Sequence, residues 1–71
     1  MLEKTYFTFG QDHKHIIGGT IYDKDCVVEI ENETHSGARV KMFRLFGDKW
    51  SLQYDKEPNL EFFPRGIIKI N

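Results

Sequence analysis

The feature that most constrains this chain is the combination of 71 residues with a single cysteine, Cys26. A domain of this length buries only about 60% of the surface its unfolded form exposes, so it sustains one modest core. Chains this small often add disulfides, a metal or a partner subunit to complete that core. One cysteine allows no internal disulfide, so apolar packing has to carry the fold. The material is present: 39% of the residues are hydrophobic and 14% aromatic, a globular rather than a disordered composition. A single domain over residues 1–71 is expected. Cys26, followed by Val27 and Val28, reads as a small buried hydrophobe in a reducing compartment, the alternative being a reactive thiol.

Hydrophobic periodicity divides the chain into elements. Lys4 to Phe9 alternates, with Thr5, Phe7 and Phe9 on one face and Tyr6 and Thr8 on the other, and is expected to be a strand. Turn residues bound the following GQDHKHIIGG, which reads as a loop or a wide hairpin end with Ile16 and Ile17 touching the core. Thr20 to Glu31 resumes strand character, with Cys26, Val28 and Ile30 opposite Val27, Glu29 and Glu31, the pattern of a half-buried strand. Thr20, Ile21 and Tyr22 form either a separate short strand or the start of the same one.

Asn32 and Thr34 are both suitable N-caps for a helix whose stripe is Ala38, Met42, Leu45 and Phe46, widened by Val40 and Phe43. Gly47 is placed to terminate it, and Arg44 suits the dipole of the last turn. Gly37 near its start costs such a helix about 1 kcal/mol relative to alanine. KWSLQY then alternates as a strand with Trp50, Leu52 and Tyr54 on one face. After the polar turn DKEPN, LEFF is expected to pair back as a hairpin. Pro64 and Gly66 precede a last apolar run, IIKI, and confine Pro64 to an edge, a bulge or a strand end. The fold class expected is α+β in ββαββ order: an antiparallel sheet of four or five strands with one helix on one face. Phe62, Phe63, Ile67, Ile68 and Ile70 exceed what one side of one helix covers, which favours a homodimer.

A net charge of −1 exerts no global pull toward nucleic acid or anionic membranes. MLEKTYFTFG lacks the apolar run and cleavage site of a signal peptide, and no stretch of about 18 apolar residues is present to span a bilayer. A soluble, cytoplasmic protein without membrane association is expected.

His13 and His15, one residue apart, place both imidazoles on one side of an extended segment, and Asp23 and Asp25 repeat that spacing with carboxylates. A hairpin about Gly18 and Gly19 would let the four converge on zinc, manganese or iron. The simpler reading, that these are polar residues on an exposed loop, is preferred, and no cofactor is expected. Arg39, Lys41 and Arg44, with Lys49, Arg65 and Lys69 and the aromatic Tyr54, Phe62 and Phe63, suggest a small nucleic-acid-binding module. Interleaved Glu29, Glu31, Glu33, Glu57 and Glu61 make an ordinary solvated surface the stronger alternative. In FFPRG, Arg65 is a contact anchor or the phenylalanines are core. No nucleophile elbow, phosphate-binding loop, dinucleotide fingerprint or paired-histidine zinc motif occurs, so no catalytic residue and no enzymatic activity are expected.

Taken together, FTFGQDHKH, DKDCVVEI, MFRLFGDKWSLQY and FFPRG resemble small accessory proteins carried by bacteriophages and prophages, a likeness of overall pattern covering most of the chain. It implies a setting in the host cell cytoplasm and a stoichiometric role: covering a host protein or nucleoprotein, as anti-CRISPR and other anti-defence proteins do. The expected function is therefore a non-enzymatic inhibitor or modulator of a host macromolecule. The expected binding surface joins His13 and His15 to the basic side of the helix, Arg39 and Arg44, and to Arg65.

Overall fold

The computed structural model describes residues 2–70. Four strands form the main sheet: β1 (Glu3–Thr8), β4 (Cys26–Asn32), β5 (Gln53–Tyr54) and β6 (Gly66–Ile70), in spatial order β5-β1-β4-β6. A separate hairpin joins β2 (His15–Ile17) to β3 (Thr20–Tyr22). One helix, α1 (His35–Phe46), follows β4, and a short 3-10 turn covers Leu60–Phe62. The class is α+β with one helix, as expected. The sheet, however, is mixed: β1 is antiparallel to β4 and β5, while β4 and β6 run parallel. Period-two alternation is common to both kinds of pairing, and only the route of the connections separates them.

That route also explains the depth of burial in β4. From β4 the chain crosses by way of α1 to β5, then returns from β5 at one edge to β6 at the other. Phe7, Phe9, Cys26, Val28 and Ile30 meet Ala38, Met42 and Phe46 of α1 in the core, with Ile68 and Ile70 packed partly against it. The opposite face is covered as well, since Tyr6, Thr8, Val27 and Glu29 are buried. β4 is therefore buried on both faces, as strands between two crossovers are, rather than half-buried as its alternation suggested.

The helix begins and ends on chemistry visible in the sequence. Of the two cap candidates Thr34 takes the role, its hydroxyl accepting from the Gly37 N–H at 2.9 Å. Gly47 closes the helix at φ 62°, donating its N–H to the Phe43 carbonyl at 2.9 Å. A Cβ at Gly37 would meet the Asn32 amide, so any larger residue there obliges the Asn32 side chain to move. The buried stripe is Ala38, Met42 and Phe46 alone. Leu45, expected in the stripe, and Val40 and Phe43, expected to widen it, face outward.

Three further expectations are corrected. Gly18 and Gly19, both at positive φ, form the two-residue turn of a tight hairpin, whose Ile16 and Ile17 are exposed and do not reach the core. In KWSLQY only Gln53 and Tyr54 are regular strand. Ser51 donates to the Thr8 carbonyl at 2.8 Å while Thr8 donates to Leu52 at 3.0 Å, so two residues face one. Such a bulge shifts the alternation: Trp50 packs on Phe7 on the helix side, Tyr54 pairs with Tyr6, and Leu52 is exposed. LEFF does not pair back. Asn59 accepts the Glu61 N–H at 3.0 Å and starts a 3-10 turn instead.

Candidate functional site

The most developed surface lies on α1 and the residues just after it. Residues four apart on a helix share a face, which puts Phe43 beneath Arg39. The Arg39 guanidinium lies 5.6 Å from the Phe43 ring centre and 5.7 Å from that of Trp50, and the two rings meet edge to face at 5.4 Å. Trp50 is fixed at two further points: its indole N–H donates to the Gly47 carbonyl at 3.1 Å, and its ring packs edge-on against buried Phe7 at 5.2 Å. The cluster thus stands on the core, not on flexible side chains alone. Phe43 is 44% exposed and Val40, one turn back, 48%. Arg39 and Arg44 are exposed beside them. None of the eleven acidic residues of the chain falls within the helix, which carries Arg39, Lys41 and Arg44. The outer face of α1 is therefore both apolar and positively charged, with two aromatic rings held in place.

The other sequence candidates are drawn into structural contacts. His15 is half-buried, its Nε2 donating to the Lys49 carbonyl at 2.8 Å. Its ring stacks at 4.9 Å from Phe46 and 5.7 Å from Phe9, and Tyr22 completes the group at 5.2 Å from Phe46. This aromatic set docks the β2–β3 hairpin on the end of α1. Arg65 pairs with Asp23 and donates its backbone N–H to the Asp25 carbonyl at 2.9 Å, tying the start of β6 to the turn before β4. Asp23 also accepts the Asp25 N–H at 3.0 Å. That bond, reinforced by the Arg65 charge, holds its carboxyl below the usual carboxylate range. His13 is half-exposed. His13, His15, Asp23 and Asp25 do not converge: among the described residues no three histidines, cysteines or carboxylates are grouped to hold a metal. The expected surface joining His13, His15, Arg39, Arg44 and Arg65 is thus divided, with Arg39 and Arg44 on the open helix face and His15 and Arg65 engaged in packing. Cys26 is fully buried, and burial pushes its thiol up.

Two polar groups escaped the sequence reading. His35, the first residue of α1, has its Nδ1 2.6 Å from the Thr5 hydroxyl and lies between Glu3 at 3.9 Å and Asp55 at 3.8 Å. Hydroxyl, imidazole and carboxylate are also the elements of a nucleophilic set. Thr5, however, is wholly buried, so its hydroxyl is not presented to solvent, and the contact pins the start of α1 to β1. On the opposite face of the sheet Tyr54, Tyr6, Glu29 and Lys69 stand in one row across all four strands. Glu29 is only 4% exposed and meets Lys69 at 3.6 Å. The Tyr6 hydroxyl is pushed up by burial and by the Glu29 carboxylate beside it. Neither group has a local sequence signal, because each is assembled from separate strands. No helix of the described residues is long and apolar enough to cross a membrane.

The chain matches no protein-family model, no curated protein and no solved structure.

Proposed function

We propose that this chain is a non-enzymatic binding protein of the phage accessory kind, which inhibits or modulates a host macromolecule by docking the outer face of α1 on it. The single observation behind this reading is the Arg39, Phe43 and Trp50 cluster: an exposed arginine and aromatic group, anchored to the core, on a helix without acidic residues. Arginine, tryptophan and other aromatics dominate the energetics of protein interfaces, and rigid anchors lose little entropy on binding. The partner that fits is a protein surface with an apolar recess rimmed by carboxylates. The recess would accept Phe43 and Val40, and the rim would face Arg39 and Arg44.

Nucleic acid is the second reading, favoured by the same basic helix. Base stacking needs a free aromatic face beside the basic groups; Arg39 already lies over both Phe43 and Trp50, and the most exposed aromatic, Phe62 at 74%, sits on the 3-10 turn rather than on the basic helix. A protein partner is therefore preferred. No distance or grouping favours the metal-binding alternative.

The test is affinity capture from cells that carry the gene, comparing the wild-type chain with Phe43→Ser, Arg39→Glu and, as a control at an exposed apolar residue of the β2–β3 hairpin, Ile16→Thr. A protein present in stoichiometric amount with wild type and Ile16→Thr, and resistant to nuclease, is expected. Each helix substitution should weaken it by about 2 kcal/mol, roughly thirtyfold. Capture unaffected by either helix substitution, or lost on nuclease treatment, would exclude this mode of binding.

A further inference from the structure

β6 is an edge strand: it pairs with β4 on one side and, among the described residues, with nothing on the other. Which of its backbone groups are free follows from the ladder. Thr8 exchanges bonds with Ser51 and Leu52, so along β1 the groups of Tyr6 and Thr8 turn to β5 and those of Thr5 and Phe7 to β4. Thr5 and Phe7 lie opposite Ile30 and Val28, which leaves Val27 and Glu29 directed at β6. In a parallel pair such residues bond to the neighbours of the residue opposite. Val27 lies opposite Ile67 and Glu29 opposite Lys69. Gly66, Ile68 and Ile70 therefore complete the ladder, and the N–H and C=O groups of Ile67 and Lys69 point outward, without backbone partners among the described residues.

Such an edge is a template for a further strand, and its side chains specify which. Ile68 and Ile70, on the α1 side, pack partly against the core and stay half-buried, so a strand laid alongside would complete their cover. On the other side Lys69 is the one charge of β6. Its Nζ lies 3.6 Å from the buried Glu29 carboxylate, yet its side chain is 66% exposed and free to meet a second carboxylate. Arg65, just before the strand, is exposed even though it pairs with Asp23. We infer that the β6 edge takes up an extended segment of another protein as an added antiparallel strand, with a carboxylate opposite Lys69 and apolar residues opposite Ile68 and Ile70. This is strand addition, in which backbone bonds hold the segment and alternate side chains select it. Opposite charges across strands stabilise and like charges destabilise. β6 itself has no acidic residue to offer Lys69, so a second copy of this strand is the poorer occupant in any register. The edge geometry does not depend on what α1 binds.

The test titrates the full isotope-labelled chain with a short blocked peptide of alternating valine and glutamate, followed by amide resonances and hydrogen exchange. Without peptide, Ile67 and Lys69 should exchange fast while Ile68 and Ile70 are protected; with it, exchange at Ile67 and Lys69 should slow by about tenfold or more. A peptide of alternating valine and lysine should bind about tenfold more weakly. Ile67→Pro removes an N–H that points away from β4, so it should keep the fold by circular dichroism and lose the peptide. Lys69→Gln should bind both peptides with nearly equal affinity. No saturable shift at millimolar peptide, equal affinity of the wild-type chain for the two peptides, or shifts confined to α1 would overturn the assignment. So would a free chain whose Ile67 and Lys69 amides become protected as its own concentration rises, which would give the edge to a second copy. Should Ile67→Pro fail to fold, the wild-type exchange pattern decides: peptide protection anywhere but at Ile67 and Lys69 would refute strand addition here.

Discussion

At the scale of single residues, side chains that look reactive in the sequence are held in packing. Asp23 illustrates the consequence for pH. Its carboxyl is held low by the Asp25 N–H and then by Arg65, so its ionised form favours the folded state. That contribution is complete above the unfolded carboxylate pKa of about 4 and is lost as pH falls through the lower folded value. Asp23→Asn retains an acceptor for Asp25 and removes the charge. Thermal melts from neutral to acid pH should show a weaker acid loss of stability in this variant, and an unchanged profile would contradict the assignment. Cys26 gives the complementary case. A fully buried thiol with a raised pKa is a poor nucleophile, so native protein should resist an alkylating reagent that labels the denatured chain at once. Rapid native labelling would restore the reactive-thiol alternative. The burial of Cys26 was legible from its valine neighbours. The engagement of Arg65 with Asp23, 42 positions earlier, was not, since nothing local marks a pair made by two distant turns.

At the scale of elements, α1 was readable from end to end because its signals are local: a threonine before it, a glycine after it, and apolar residues at helical spacing. Thr34→Ala should cost about 1 kcal/mol in chemical denaturation, the usual worth of such a cap. Gly47→Ala, which forces a side chain into φ 62°, ψ −135°, a conformation outside the regions L side chains adopt, should also destabilise, by about 1–3 kcal/mol. Losses near zero would mean that neither residue caps. The strand after the helix was misread for the converse reason. Two residues opposite Thr8 invert the face on which Trp50 and Tyr54 fall, and alternation carries no mark of where a bulge sits. The same shift determines the site: turned toward the helix, Trp50 meets Phe43 and Arg39 instead of lying on one face with Leu52 and Tyr54. Val40, Phe43 and Leu45 looked like core because hydrophobicity records the type of a residue, not what covers it.

At the scale of the molecule, the topology separates two kinds of surface. The sheet is buried on both faces, whereas apolar groups meet solvent on the outer side of the helix at Val40, Phe43 and Leu45, on the β2–β3 hairpin at Ile16, Ile17 and Ile21, and at Leu2, Leu52, Leu60 and Phe62. The parallel entry of β6 and the double burial of β4 depend on crossovers whose path no short-range pattern specifies. Charge is distributed to match, with every carboxylate outside the helix. Binding of a protein through α1 is tested most directly by replacing residue 43 with a photoreactive phenylalanine analogue and irradiating the chain in extract from cells that carry the gene, alongside the same analogue at position 16. A single nuclease-resistant protein adduct from position 43, suppressed by Arg39→Glu and absent from position 16, is the expected result. An adduct confined to position 16, or none at 43 while the protein partner is still captured, would contradict docking by the helix.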